Sequence, residues 1–417
     1  MAIPSILANI TIPLVGLVDM AIVGHLADAT AIGGIAIGTL LFDLLYWNFG
    51  FLRVSTSGLT AQSFGQGDHN ECGGLLKRSL RIAFLASLII LAIQWLFVTL
   101  VLWIVPCSLE VATFAKQYFF IRVWAAPATL ALFVYKGWFI GMQDTISPMI
   151  TDIVVNVVNM VASYLLAVYT PLGALGVAYG TVIAQWIGLA MAVAILLIKY
   201  RQYCRRTIHV STASIWSLNG NLVVRSLCMQ VVYVGFTALA GLYGDIELAV
   251  SAIIMKLMML FSFFVDGFAY AGEALVGKSI GEGSYTKRLV QLLFNWSMAV
   301  GVGFTILYAI WGDECLGLLT DDVLVREGAT PYYIWLILMP IVSTLAFMWD
   351  GLYIGATAGK EIRNSMIWAA VSFVAVYMAF AWKMGIQALY MAYFAHLLAR
   401  VVYLTLRWNR IEGGFLN

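Results

Sequence analysis

Hydrophobic positions in this chain come in long unbroken runs, not in strand-like alternation. Such runs fall at residues 3–23, 32–59, 80–105, 118–140, 148–169 and 172–198, and again at 215–242, 248–275, 289–311, 331–354, 366–382 and 386–406. Most reach the roughly 20 apolar residues that a helix needs to cross a bilayer core. Lipid offers the backbone no hydrogen-bond partners, so each run must satisfy its own peptide groups as a helix. The pattern predicts an all-α integral membrane protein with twelve transmembrane helices. Short connections such as GQGD, GMQDTIS and GATAGKE hold the turn-forming residues between spans.

One polar connection is long: KYRQYCRRTIHVSTAS, starting at Lys199, in the middle of the chain. On either side of it the sequence echoes itself. TAQSFGQGD at residues 60–68 returns as VGKSIGEGS at 276–284, and KGWFIGMQDT at 136–145 returns as DGLYIGATAG at 350–359. A shared offset of about 215 residues points to an internal duplication. Six spans per half is an even number, so the halves are expected to run parallel, as two pseudo-symmetric six-helix lobes. The expected division is an N-terminal lobe over residues 1–200, a basic cytoplasmic linker over 201–214 and a C-terminal lobe over 215–417.

Composition agrees and removes other classes. Hydrophobic residues make up 62% of the chain and charged residues 11%, against about 25% charge in a soluble domain; mean hydropathy is +0.93. A net charge of +2 gives no reason to expect nucleic acid as a partner. No cleavable signal peptide is expected ahead of the first run, which is itself long enough to span. The five cysteines and four histidines show no ligand spacing, so neither a disulfide framework, a metal site nor a cofactor is expected. No nucleophile motif suggests an enzyme.

Basic residues fix the expected orientation. Connections after even-numbered spans, with the C-terminal tail, carry nearly all of them, including Lys77, Arg78, Arg201, Arg205, Arg206, Lys278 and Arg363. Those after odd-numbered spans hold only Lys116, Arg326 and Lys383. Both termini are therefore expected in the cytoplasm of a cell whose inner (plasma) membrane holds the chain. A monomer is expected.

Charges inside spans are costly and mark function or internal pairing. Asp19, deep in the first span, has no basic residue within a turn or two along its helix. It is the expected proton-loading group, since an unpaired buried carboxylate is readily neutralised. Asn9, Gly16 and Asp19 fall within about 80° on a helical wheel, and Pro13 gives this helix a place to bend. On the fifth span Asp152, Asn156, Asn159 and Ser163 form a polar stripe, which Thr181 and Gln185 of the sixth span extend. The expected cavity lining is Asn9, Asn156, Asn159, Ser163, Thr181 and Gln185; helix packing is the plainer reading of the same residues. Asp266, Tyr270 and Glu273 make a second polar face on the eighth span, where Lys256, Arg225 or Arg400 could neutralise the carboxylates.

Four motifs carry a resemblance: GLVDMAIVGHL at 16–26, FLRVSTSGLTAQSFG at 51–65, GWFIGMQDT at 137–145 and DGFAYAGEALVGKSIG at 266–281. In these the chain resembles the multidrug and toxic compound extrusion (MATE) family, in its DinF-like branch. The resemblance implies two six-helix lobes forming a V around a central cavity. It also implies export of lipophilic, often cationic organic compounds against inward H⁺ or Na⁺. Asp19 matches the family's protonated aspartate, Asn159 an asparagine of the fifth span and Thr181 a threonine of the same cluster. Ser163 stands where the family has a second aspartate, which leaves Asp19 as the single titrating group. The seventh span has no interior carboxylate, so H⁺ is the favoured coupling ion, with Na⁺ kept open. The alternative is a flippase for a lipid-linked oligosaccharide or other lipid, whose pyrophosphate would call for a more basic cavity.

Overall fold

The computed structural model describes residues 1–26, 29–105, 107–204, 212–285, 287–320 and 323–416. Within them the regular structure is helical: α1 (Ala2–Leu26), α2 (Ala29–Trp47), α3 (Phe51–Gly65), α4 (His69–Ile104), α5 (Leu109–Arg122), α6 (Ala126–Gly141), α7 (Ile146–Tyr169) and α8 (Gly176–Lys199) come first. The short α9 (Arg201–Cys204) is followed by α10 (Thr212–Ala240), α11 (Asp245–Gly281), α12 (Lys287–Gly317), α13 (Val323–Ala329), α14 (Tyr333–Gly355), α15 (Gly359–Met384) and α16 (Gln387–Leu416). Eleven stretches of the described residues are long and apolar enough to cross a membrane, and α1, with 25 residues, is of spanning length as well. The chain is an all-α, multi-pass membrane protein. Its exposed surface fits that solvent: Phe84, Trp95 and Trp103 of α4 are 58%, 67% and 84% exposed, which lipid accommodates and water would not. Of the basic linker expected over 201–214, residues 205–211 lie outside the described residues.

Contacts divide the chain into two compact units, Leu7–Val210 and Met1–Ile6 with Ser211–Asn417. The first turn of α1 thus belongs with the C-terminal unit, where Ala2 and Ile6 pack on Gly267 of α11. Each unit repeats the same internal packing. In the N-terminal unit α2 lies on α5, α3 on α6, α4 on α6 and α7 on α8. In the C-terminal unit α11 lies on α13 and α14, α12 on α14 and α15 on α16.

The echoed motifs build matching turns. After α3, Gly67 N donates to Phe64 O (3.1 Å) and Asp68 N to Ser63 O (3.0 Å); after α11, Gly283 N donates to Ile280 O (3.1 Å) and Ser284 N to Ser279 O (2.9 Å). Both are left-handed helix stops, with φ of 71° at Gly67 and 65° at Gly283, where glycine lacks the Cβ that would clash. The second echo ends α6 and α14 in the same way, with the left-handed residue at Gln143 and Thr357. At the end of α6, Asp144 then ties three helices together. Its carboxylate accepts from Lys199 Nζ (2.7 Å) and Tyr200 OH (2.8 Å) of the α8 end and from Ser147 N (3.0 Å) of α7. Burial pushes this carboxyl up, but the bonds from Lys199, Ser147 and Tyr200 outweigh it and hold the group below the usual carboxylate range.

Small residues let these helices touch. A Cβ on Gly137 would lie 2.2 Å from Arg53 O, and one on Gly351 would lie 2.4 Å from Ala269 O; one turn on, a Cβ on Gly141 would lie 2.6 Å from Thr60 Cβ and one on Gly355 2.7 Å from Glu273 O. Each pair forms a G-x-x-x-G crossing, of α6 over α3 and of α14 over α11. Gly137→Leu or Gly351→Leu is expected to destabilise the protein by at least the ~1–3 kcal/mol of core overpacking. Gly303→Ala, at a position with open space around it, should be neutral or better. Thermal unfolding of purified protein in detergent checks this; equal midpoints for all three would contradict the close crossings.

Candidate substrate and proton site

Within the N-terminal unit, five helices bring polar side chains together. The approach of α8 to α7 is what makes the meeting possible. Gly180 sits so close to Ser163 that an added Cβ would lie 2.5 Å from its Oγ and 2.6 Å from its backbone N, and Gly176 is pressed as closely to Leu166 and Ala167. At that separation Asn159 Nδ2 donates to Thr181 Oγ1 (2.9 Å), and Thr181 Oγ1 donates back to Val177 O (3.1 Å). Nearly one turn before Asn159, Asn156 Nδ2 makes a short hydrogen bond to Thr11 Oγ1 of α1. One turn after it, Ser163 is fully buried and faces the Asp19 carboxyl of α1.

Asp19 is half-buried, and Arg122 of α5 contributes a positive charge to its electrostatic surroundings. The sequence shows no base near Asp19 along its own helix; the fold brings one from elsewhere. The Arg122 guanidinium packs over the ring of Phe42 of α2, 4.7 Å from its centroid, and lies 5.7 Å from that of Tyr118. Its Nη1 donates to Tyr118 OH (3.0 Å), and Tyr46 of α2 adds its phenol to the same surroundings. Asp19 Oδ1, Ser163 Oγ, Asn159 Oδ1 and Arg122 Nε are all buried without a hydrogen-bond partner. Such atoms cost about 1–3 kcal/mol each in an apolar interior.

The other expected positions divide. Asn9 is buried in α1, and Gln185 is half-buried on α8, one turn beyond Thr181. Asp152, at the start of the polar stripe, is held in an ion pair with Lys136 of α6 (2.7 Å). In the C-terminal unit Asp266 and Tyr270 are half-buried and Glu273 is fully buried. Neither Arg225 nor Arg400 is reserved for that face. Both guanidiniums converge on Asp350 Oδ2 of α14, at 2.7 Å and 2.5 Å. Above them Tyr393 OH donates to Tyr233 OH (3.2 Å). Position 350 is the repeat counterpart of 136, so the two units place opposite charges at one structural position and neutralise each locally. Among the described residues no group of His, Cys, Asp and Glu could hold a metal ion.

The pattern of the MatE family matches residues 4–165 and, a second time, residues 222–382. The chain belongs to the MatE family. It is 33% identical to DNA damage-inducible protein F of Escherichia coli K12 over 98% of this chain and 91% of that protein. It is 23% identical to human multidrug and toxin extrusion protein 1 over 74% of this chain and 54% of that one. A solved multidrug resistance MATE family transporter of the MOP superfamily, in its outward-facing conformation, has the same fold, with TM-score 0.88 and 17% identity over 99% of this chain and 95% of that one. A MOP superfamily transporter from Pyrococcus furiosus gives TM-score 0.90 at 16% identity, over 99% and 95%. The expected family and fold are thus found, and the double match accounts for the paired turns and crossings. As a MatE protein the chain is a transporter and not an enzyme.

Arg122 and Lys136 are residues whose roles the sequence left unassigned, and Arg225 and Arg400, expected to neutralise Asp266 or Glu273, are engaged by Asp350. Their signal was present, since each is a base inside an apolar run, but their partners were not legible.

Proposed function

We propose that this transporter exports lipophilic, often cationic organic compounds in exchange for protons. Asp19 loads the proton, and Asn159, Ser163, Thr181, Asn9, Asn156 and Gln185 line the N-terminal substrate and coupling region. The observation that carries this reading is the Asp19 carboxyl, half-buried, with one oxygen lacking a hydrogen-bond partner and lying among Ser163 and Arg122. Protonation removes the charge that costs most when water is excluded. A ligand shifts a two-state equilibrium only through different affinity for the states, and the changing charge on Asp19 supplies that difference. The relatives named for multidrug and toxin extrusion support the same direction and substrate class. Protons are favoured over Na⁺ because the seventh span, α10, holds no carboxylate in its interior. The basic connections support an orientation with both termini in the cytoplasm and the chain in the plasma membrane.

Proteoliposomes with an imposed gradient test the reading. A pH gradient with the vesicle lumen acid should drive uptake of a lipophilic monocation such as tetraphenylphosphonium, accompanied by outward proton movement. A Na⁺ gradient alone should not. Transport driven by Na⁺ without proton movement would overturn the proton assignment.

A further inference from the structure

The basic residues inside the spans of the C-terminal unit are not treated alike. Arg225 and Arg400 share the Asp350 carboxylate, at 2.7 Å and 2.5 Å. Lys256 of α11 has no such partner. It is exposed, and among the described residues no hydrogen bond, ion pair or ring contact reaches it. We propose that Lys256 is a recognition residue for the acidic group of an amphiphilic ligand, a carboxylate, sulfonate or phosphate carried on a flat apolar body. This role adds amphiphilic acids and zwitterions to the cations proposed above, and it stands whether or not Asp19 is the coupling group.

Its place on α11 decides which surface Lys256 belongs to. Lys256, Leu260, Phe263 and Gly267 fall within about 60° on a helical wheel. Gly267 receives the first turn of α1 so closely that an added Cβ would lie 2.4 Å from Ile6 Cγ1 and 3.0 Å from Ala2 O. This side of α11 therefore faces protein at Gly267. From Leu7 onward α1 belongs to the other unit, and the strip it leaves behind is open. Phe263 is half-buried, Leu260 and Met259 are 39% and 46% exposed, and Lys256 ends the strip. The nearest acidic residues along α11, Glu247 and Asp266, stand nine and ten positions away, more than two turns. An unpaired ammonium within an apolar span belongs on a surface that water or a polar ligand reaches. Its apolar neighbours suit a ligand of varied shape, since the unbranched methionine side chain adapts to what lies against it. An acid seated at Lys256 lays its body along Met259, Leu260 and Phe263. A cation in the same place meets like charge with no carboxylate beside it, so the strip discriminates by charge.

The test is equilibrium binding of naphthalene-2-sulfonate, and of its cationic counterpart naphthalen-2-yl-trimethylammonium, to full-length protein in phosphatidylcholine nanodiscs, with empty discs as the background. The readout is binding, so it does not depend on which ion drives transport. The parent should bind the sulfonate. Lys256→Met should weaken that binding about tenfold or more, the effect expected from losing a hydrogen bond to a charged group, and Lys256→Arg should keep it. The cation should bind Lys256→Met no more weakly than the parent. Lys256→Gln replaces Met if that variant does not fold. Lys256→Cys should react with an anionic, membrane-impermeant methanethiosulfonate, read by peptide mass spectrometry so that the native cysteines do not obscure the result. No sulfonate binding by the parent above the empty discs, equal affinity in the neutral variants, or an unreactive Lys256→Cys overturns the proposal. So does sulfonate binding that disappears when phosphatidylglycerol is added to the disc, because a lipid phosphate then holds the lysine.

Discussion

Asp19→Asn is expected to insert and fold like the parent and to lose gradient-driven export, down to the level of protein-free vesicles. The amide keeps the size and much of the hydrogen-bonding capacity of the carboxyl, so contacts with Ser163 survive. What disappears is the titratable charge. Under the proposed mechanism, Asp19 alternates between an ionised form that attracts a cation and a neutral form that crosses the closed state without charge. Asparagine offers only the second, so a pH gradient has nothing to act upon. Asp152→Asn is the informative comparison. Asp152 lies on the same polar stripe, but its charge is already engaged by Lys136 at 2.7 Å. That variant should keep proton-coupled transport while losing some stability. If Asp19→Asn moves substrate and protons like the parent, the coupling site lies elsewhere.

Asp350→Ala is expected to show the largest loss of stability. One carboxylate oxygen receives both Arg225 and Arg400, and Arg400 is 1% exposed. Removing the carboxylate leaves two guanidiniums in a low-dielectric interior with no counter-charge, a change that costs about 3–5 kcal/mol when one partner of a buried pair is deleted. Thermal unfolding in detergent and the yield of monodisperse protein measure it. Replacing both arginines by methionine in the Asp350→Ala background should recover part of the loss, since the whole cluster is then exchanged for apolar volume. An Asp350→Ala protein with the parent's unfolding midpoint would show that the cluster does not hold the C-terminal unit together. Lys136→Met should be milder, because Lys136 and Asp152 are partly open to their surroundings, at 18% and 26% exposure, and the remaining charge can be solvated.

The spans were legible because lipid makes a local demand. Each apolar run must close its own backbone hydrogen bonds, so hydropathy alone marks where helices run. Even so, boundaries moved. The run at residues 32–59 is broken at Asn48–Gly50 into α2 and α3, and the run at 118–140 starts earlier, at Leu109, and passes through a tighter turn at Val123–Ala125. Lys116 lies within α5 but outside the apolar run at 118–140, which is why that run fell short of the helix. The duplication was legible for a similar reason. GQGD and GEGS stop their helices through local geometry, and Gly137 and Gly351 mark crossings that tolerate no side chain.

Partner choice was not local. Asp19 stands alone along its own helix, and the sequence could not say that Arg122 of α5 would contribute to its electrostatic surroundings. Asp350 stood among several intramembrane charges with no indication that Arg225 and Arg400 would share it. Lys136 and Asp152 lie in consecutive helices, yet their pairing depends on how α6 and α7 are rotated. An ion pair in a helical bundle requires the tilt and rotation of two separate helices to agree within a few ångströms. Those are fixed by packing over their whole length, including glycine contacts such as Gly180 on Ser163. The sequence by itself determined the class, the spans, the repeat and the identity of the charged groups, because bilayer solvation acts on each segment alone. Only the tertiary structure decided which charge answers which, because that depends on distances between helices that no single segment encodes.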